Sequence, residues 1–239
     1  MKKVMIHPLW IMLVVSFFAC QGSPPAQAGE AAAVEPAPAT ASSTTVSGNT
    51  IVLPQPRIKG TISVEEALAQ RRSVRSFTDE PVTLEEVSQL LWAAQGITEP
   101  TKGLRTAPSA GATYPLETYI IVNQGSGIDP GAYHYIPQGH KLERIAPPSG
   151  VEQHPLPDAA TIVFTAVFER TSQKYGERAA LFVHLEAGHA AQNVCLQAVA
   201  LGLATVVNGI FDEKELMNVL NLPPSEKPLY IVRIGHQRK

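Results

Sequence analysis

Hydrophobic and polar residues recur along this chain with two periods, and those periods place most of its regular structure. Leu84, Val87, Leu90, Leu91 and Ala94 follow one another at three- and four-residue steps, the spacing of a single helix face. Thr83-Leu84-Glu85-Glu86 supplies that helix with a capping-box start and Gly96 with an end. Ser63-Val64-Glu65-Glu66 offers the same start to an earlier helix that runs into Arg71 and Arg72. The longest helical pattern, Ala179 to Leu201, carries the small residues Ala187, Gly188, Ala190 and Ala191, which let another helix approach closely, and it stops at Gly202. Asp212-Glu213-Lys214-Glu215 caps a last helix through Leu220. Thr118 to Val122 and Thr161 to Phe168 read as strong strands. Ala132 to Ile136 and Lys141 to Ile145 read as a hairpin around Pro137-Gln138-Gly139-His140, and Thr205 to Val207 and Leu229 to Ile234 as two further strands. Ile97 to Ala112 reads as loop and Gly125 to Gly131 as a turn. Helices and strands mix without regular βαβ alternation, so the pattern predicts an α+β fold.

The first 57 residues follow neither period. Met1 to Cys20 has Lys2 and Lys3, an apolar stretch from Val4 to Phe18, and Ala19 before Cys20, the layout of a secretory signal peptide. His7-Pro8 interrupts the apolar stretch, which is too short for a membrane span. The small residue before Cys20 predicts a lipoprotein signal, an exported protein, and a membrane anchor through lipid on Cys20; ordinary secretion is the alternative, because Phe17 and Phe18 depart from the usual pattern. Residues 21–57, rich in Ala, Pro, Ser and Thr, are predicted to be a disordered linker. Ile51-Val52-Leu53-Pro54 is the part able to dock as an extended arm, and the folded domain is expected over 58–239. With Cys20 processed, Cys195 remains, and its apolar helical setting predicts a buried structural thiol. Nineteen Lys and Arg against twenty-one Asp and Glu give a net charge of -2, which offers no basic field for nucleic acid.

Four short segments carry candidate chemistry. Arg71, Arg72, Ser73 and Arg75 put three guanidiniums beside a hydroxyl, a set suited to phosphate oxygens; a solvated basic helix end is the plainer reading. Pro108-Ser109-Ala110-Gly111 is a turn whose small residues would let backbone approach a flat ligand. Asn208 and Gly209, after a strand and before a helix start, could present backbone N–H groups to an electron-rich atom, or form a plain left-handed turn. Lys174-Tyr175, in an expected surface loop, joins an amine to a phenol. His184 and His189, five residues apart, lack the i,i+4 spacing of paired helical metal ligands, so no metal site is expected. No Gly-x-Gly-x-x-Gly fingerprint marks a Rossmann nicotinamide site.

Taken in order, Arg71 to Phe77, Leu90 to Thr98 and Arg105 to Ala112 resemble the FMN-dependent nitroreductase superfamily, and within it the SagB/ThcOx-type dehydrogenases, over about Ile62 to Gly235. The resemblance implies a three-layer sandwich: a central, mostly antiparallel sheet wrapped by helices, in an intertwined homodimer with FMN at the interface. It assigns the FMN phosphate and ribityl chain to Arg71, Arg72, Ser73 and Arg75, and the flavin N5 and O4 edge to Asn208 and Gly209. Pro108, Ser109 and Ala110 would lie against the ring of a flavin held mainly by the other subunit. Lys174-Tyr175-Gly176-Glu177-Arg178 resembles the context of the Lys-Tyr pair of azoline dehydrogenases, where a base removes a proton while hydride goes to flavin N5. Glu186 to Asn193 also matches and reads as packing and hydrogen bonding at the dimer core; Arg105 would support the loop or meet substrate, and Arg238 and Lys239 could reach the phosphate. The implied activity is hydride transfer to or from a small organic or peptide-derived substrate, with NAD(P)H as a transient donor. A non-catalytic flavin- or ligand-binding lipoprotein on the same fold is the alternative.

Overall fold

The computed structural model describes residues 46–145 and 158–238. The expected signal segment with Cys20, and the linker as far as residue 45, lie outside the described residues. In chain order the elements are β1 (Val46–Ser47), β2 (Thr50–Val52), α1 (Val64–Gln70), β3 (Val82–Thr83), α2 (Leu84–Gln95), β4 (Ile97–Glu99), β5 (Leu104–Arg105), β6 (Leu116–Val122) and β7 (Gly125–Ser126). They continue with β8 (Gly131–Ile136), β9 (Lys141–Ile145), β10 (Ala160–Ala166), α3 (Glu169–Tyr175), α4 (Ala179–Ala200), β11 (Ala204–Asn208), α5 (Glu213–Val219) and β12 (Lys227–Gly235). Eight strands form one antiparallel sheet in the order β1-β2-β9-β8-β6-β10-β12-β11.

Strand alternation sorts the core into two layers. Ile120, Ile162, Phe164, Val232 and Ile234 face α2 and α4, where they meet Leu90, Leu91, Val183, Ala190 and Val194. Tyr119, Ile121, Val163 and Ile231 point the other way, against Leu216, Val219 and Leu220 of α5 and its end. Helices, sheet and helix make the expected three layers. Both predicted capping boxes form: Ser63 and Glu66 close α1, and Thr83 and Glu86 close α2.

Three segments differ from the sequence expectation. Inside the stretch read as linker, Thr50–Val52 pairs with β9, Leu53 N–H donates to His140 O, and Ser88 Oγ donates to Pro54 O at 2.6 Å. Gln89 then holds both backbone groups of Arg57. The pairing is sequence-independent backbone chemistry, which composition does not report. Secondly, the expected loop from Ile97 contains the hairpin of β4 and β5. Thirdly, the strand expected through Phe168 ends at Ala166, and the chain turns into α3, so Lys174 and Tyr175 stand at a helix C-terminus rather than in a loop. Of α3 only Thr171 is buried, so the helix leaves no apolar period to detect.

Phe164 is fully buried at the centre of the sheet. Phe164→Ala should lower the unfolding free energy by about 3–5 kcal/mol, measured by urea denaturation.

Candidate functional site

Two sets of predicted residues gather on opposite flanks of α4. The first set forms where α1 ends. Arg71 is the C-cap of α1, its N–H bonding Ala67 O, and the chain then leaves in extended conformation. Ser73 bridges Thr205, and Val74 N–H donates to Thr205 O at 2.9 Å, which pins this segment alongside β11. Further on, Thr78 N–H bonds His236 O and Arg238 N–H bonds Ser76 O, so residues 73–78 are held between β11 and the C-terminal tail.

Between this segment and α4 lies a cavity of about 100 Å³ lined by Arg71, Ser73, Gly188, Ala191, Gln192, Cys195, Thr205, Val206, Val207 and Tyr230. Arg71 and Ser73 thus reach one cavity. Arg72 does not: its guanidinium turns back to the carbonyls of Ala69 and Arg71, at 2.8 and 2.7 Å, where it serves the orphan acceptors of the helix end. Arg75 is exposed and lines no part of the cavity, and the Arg238 Nε is used on Phe77 O. Asn208 closes β11 next to the cavity's Val207; its Oδ1 is buried and has no hydrogen-bond partner among the described residues. Gly209 follows it, exposed. Burial pushes the Cys195 thiol up, so the residue stays protonated and inert, although it lines the cavity.

The second set is built on the loop from Pro108 to Tyr114. Gly111, Ala112 and Tyr114 all adopt positive φ, at 60°, 54° and 45°. Two of these are not glycine, and such backbone persists only where the surroundings over-determine it. The surroundings do so. Helix α3 runs along the loop and meets it turn by turn: Arg170 donates to Tyr114 O at 3.1 Å, Thr171 bonds the Thr113 hydroxyl at 2.9 Å, and Lys174 Nζ lies 3.4 Å from Gly111 O. Arg170 is itself fixed by Glu117 at 2.5 Å. Tyr175 packs edge-on against Phe182 of α4. Lys174 and Tyr175 therefore both converge on Gly111: a Cβ there would fall 2.6 Å from the Lys174 amine and 2.7 Å from the Tyr175 hydroxyl. Pro108 is exposed, and Ser109 Oγ accepts from Tyr114 N–H at 2.9 Å.

Beneath the loop lies a polar cluster that the sequence reading did not assemble. The Arg105 guanidinium stacks on the Tyr114 ring, 4.4 Å from its centroid, and donates to Gln95 Oε1 at 3.0 Å. Glu186 of α4, 2 % exposed, completes the cluster. Burial raises its carboxyl to about 7, opposed by Ser109, by the Arg105 charge and by Gln95. Burial likewise lowers the Arg105 pKa. A carboxylate on the apolar side of a helix pattern was the one signal of this cluster in the sequence.

Cys195 lies nine residues after Glu186, about two and a half helical turns, so the cavity and the loop sit on opposite flanks of α4. The face between them that points away from the sheet carries Leu181, 53 % exposed, and Leu185, 49 % exposed, with His184, Gly188, His189 and Gln192.

An α+β sheet with a basic, hydroxyl-bearing cavity and a strained loop capped by a Lys-Tyr pair is a fold and site shared with known proteins. The model of the nitroreductase family matches residues 68–236, and the chain belongs to that family. The nitroreductase homologue MJ1384 of Methanocaldococcus jannaschii is 40 % identical over 201 residues, covering 80 % of this chain and 98 % of its own. A crystal structure of a nitroreductase homologue from Ralstonia eutropha superposes with a TM-score of 0.70 at 28 % identity, over 82 % of this chain and 94 % of that one. The microcin B17-processing protein McbC of Escherichia coli is 27 % identical over 158 residues, covering 59 % of this chain and 57 % of McbC.

Gly111→Ala should push Lys174 and Tyr175 off the loop and strain its positive-φ backbone. We expect a loss of about 1 kcal/mol in urea unfolding, together with a red-shifted, more solvent-exposed tyrosine emission.

Proposed function

We propose that this protein is an FMN-dependent oxidoreductase of the SagB-type branch, working as a homodimer on a small or peptide-derived substrate. The convergence of Lys174 and Tyr175 on Gly111, beside Pro108–Ala110, carries the reading, because it joins two segments that the resemblance assigns to one active site.

The residues present fit FMN. Arg71 and Ser73 offer a guanidinium and a hydroxyl to a phosphate within one cavity. The buried, unpartnered Asn208 Oδ1 at its edge suits an N–H donor of a planar ring. The cavity of about 100 Å³ is small beside the ~300 Å³ or more of usual ligand pockets, so one chain offers only one end of the cofactor its place. The opposite flanks of α4 fit this: the loop that would cover the ring in one site belongs to the partner. Leu181 and Leu185, half-exposed on the intervening face, are the apolar surface such a partner would cover. Ile210, 93 % exposed just after Gly209, extends that surface.

FMN supplies two-electron hydride chemistry when bound. The chain's own residues hold the phosphate at Arg71 and Ser73, carry small loop residues close to the ring at Ser109 and Ala110, and place an amine and a phenol at the loop's far side. For an azoline-like substrate, one hydride leaves a ring carbon and one proton must go to a base; Lys174 or Tyr175 is placed to take it. NAD(P)H is the family's general electron donor, and an exported protein would rely instead on the substrate itself or on another carrier. Export and a lipid on Cys20 belong to this proposal through the N-terminal pattern alone.

The purified protein should be yellow, and Arg71→Ala should leave it folded and colourless; full flavin occupancy in that variant would overturn the phosphate assignment. Leu185→Glu should shift the protein from dimer to monomer in sedimentation analysis, with flavin lost in parallel. Lys174→Ala and Tyr175→Phe should each slow substrate oxidation about 10²–10⁴-fold with flavin retained, and unchanged turnover in both would remove the base assignment.

A further inference from the structure

Glu186 has no part in the residue roles above, yet it is the one carboxylate in the cluster under the loop. Three buried side-chain atoms of that cluster lack a well-formed hydrogen bond: Glu186 Oε1, Gln95 Nε2 and Arg105 Nε. Native interiors leave few such atoms, and here an acceptor and two donors are held together under a loop with two strained non-glycine residues. Glu186 connects to that loop at two points. Ser109 bonds its carboxyl and also accepts the Tyr114 N–H, and Arg105, beside the same carboxyl, is stacked on the Tyr114 ring and gives its own N–H to the Tyr114 hydroxyl at 3.2 Å. Movement of the Glu186 side chain would therefore be felt at both ends of the turn from Ser109 to Tyr114.

We propose that Glu186 is a positioning residue: acting through Ser109 and Arg105, it holds the Pro108–Tyr114 loop in the pose that faces the flavin, and the loop loosens when its carboxyl ionises. This rests on the reading of the loop given above. The sign follows from linkage. Within the closed cluster burial is the largest influence on Glu186 and raises its carboxyl to about 7, and an opening of the loop that admits water returns it toward the ordinary carboxylate range. The closed loop thus binds the proton more tightly than the open one, so its stability is fully present at low pH and is lost as pH rises through about 7. The charged group facing Glu186 is Arg105 of β5; Glu117 and Arg170 act on Arg105 from the loop's other side, and Tyr114 touches it from the loop itself. Gln95 of α2 and Ser109 complete the surroundings without charge.

The test is backbone hydrogen exchange of residues 105–114 in the full chain at pH 6 and pH 8, corrected for intrinsic rates, with wild type, Glu186→Gln and Glu186→Ala. In wild type, protection of the Ala112, Thr113 and Tyr114 amides should fall about tenfold between the two, the equivalent of one pKa unit of coupling. Glu186→Gln, a neutral isostere, should hold the low-pH protection at both values. Glu186→Ala should lose it at both, while amides of β6 and β10 stay protected. In flavin-loaded protein, the midpoint potential should show an inflection near pH 7 that Glu186→Gln abolishes. A Glu186→Gln variant with the wild-type pH profile in loop exchange overturns the proposal, as does an effect spread evenly over the sheet. A protein that takes up no flavin defeats the functional reading instead, and the exchange measurement still decides the role of Glu186.

Discussion

The burial of α4 against the sheet is the constraint on which the rest of the arrangement depends. Val183, Ala187, Ala190, Val194 and Ala198 make a stripe that lies on Ile162, Phe164 and Val232, and nothing about the helix can rotate without exposing it. Once that stripe is fixed, the two flanks follow. Gly188, Ala191, Gln192 and Cys195 must face the exit of α1 and β11, and Glu186 must face the loop before β6. The small residues of the helix matter for the same reason: a larger side chain at Gly188 or Ala191 would fill the cavity that Arg71 and Ser73 border.

The loop from Pro108 to Tyr114 is the second dependent piece. Its left-handed residues cost energy, and the cost is offset by contacts from two helices, α3 through Arg170, Thr171 and Lys174, and α4 through Glu186. The same contacts that hold the loop bring the Lys-Tyr pair to it. Structure and proposed chemistry therefore share side chains, and a change made for one will be read in the other. A rigid loop over a planar ring also has a clear use, since hydride transfer is sensitive to small displacements of the reacting groups.

Much of the fold was legible in the residues. The periods of α2 and α4 and of β6, β8, β9 and β10, and the capping boxes at Ser63 and Thr83, are local signals, and they placed the elements to within a few residues. Arg71 and Ser73 could be singled out because their chemistry is unusual at a helix end. Arg72 and Arg75 could not be separated from them, since the same charge reads alike whether it turns to a cavity, to its own helix carbonyls or to water. The α3 helix escaped because one buried residue in seven makes no period, and the docking of Thr50–Val52 escaped because its hydrogen bonds belong to the backbone.

The sequence alone therefore determined the α+β class, most element boundaries and the identity of the chemically distinctive residues, because hydrophobic period and capping act over a few neighbours. Only the tertiary structure decided which of those residues meet. Lys174 and Gly111 are 63 positions apart, and their approach depends on how α3 packs along the loop. That Glu186 lies beneath Ser109 while Arg71 borders a cavity on the other flank follows from the one orientation in which α4 can bury its apolar stripe, a choice made by the sheet and not by the helix.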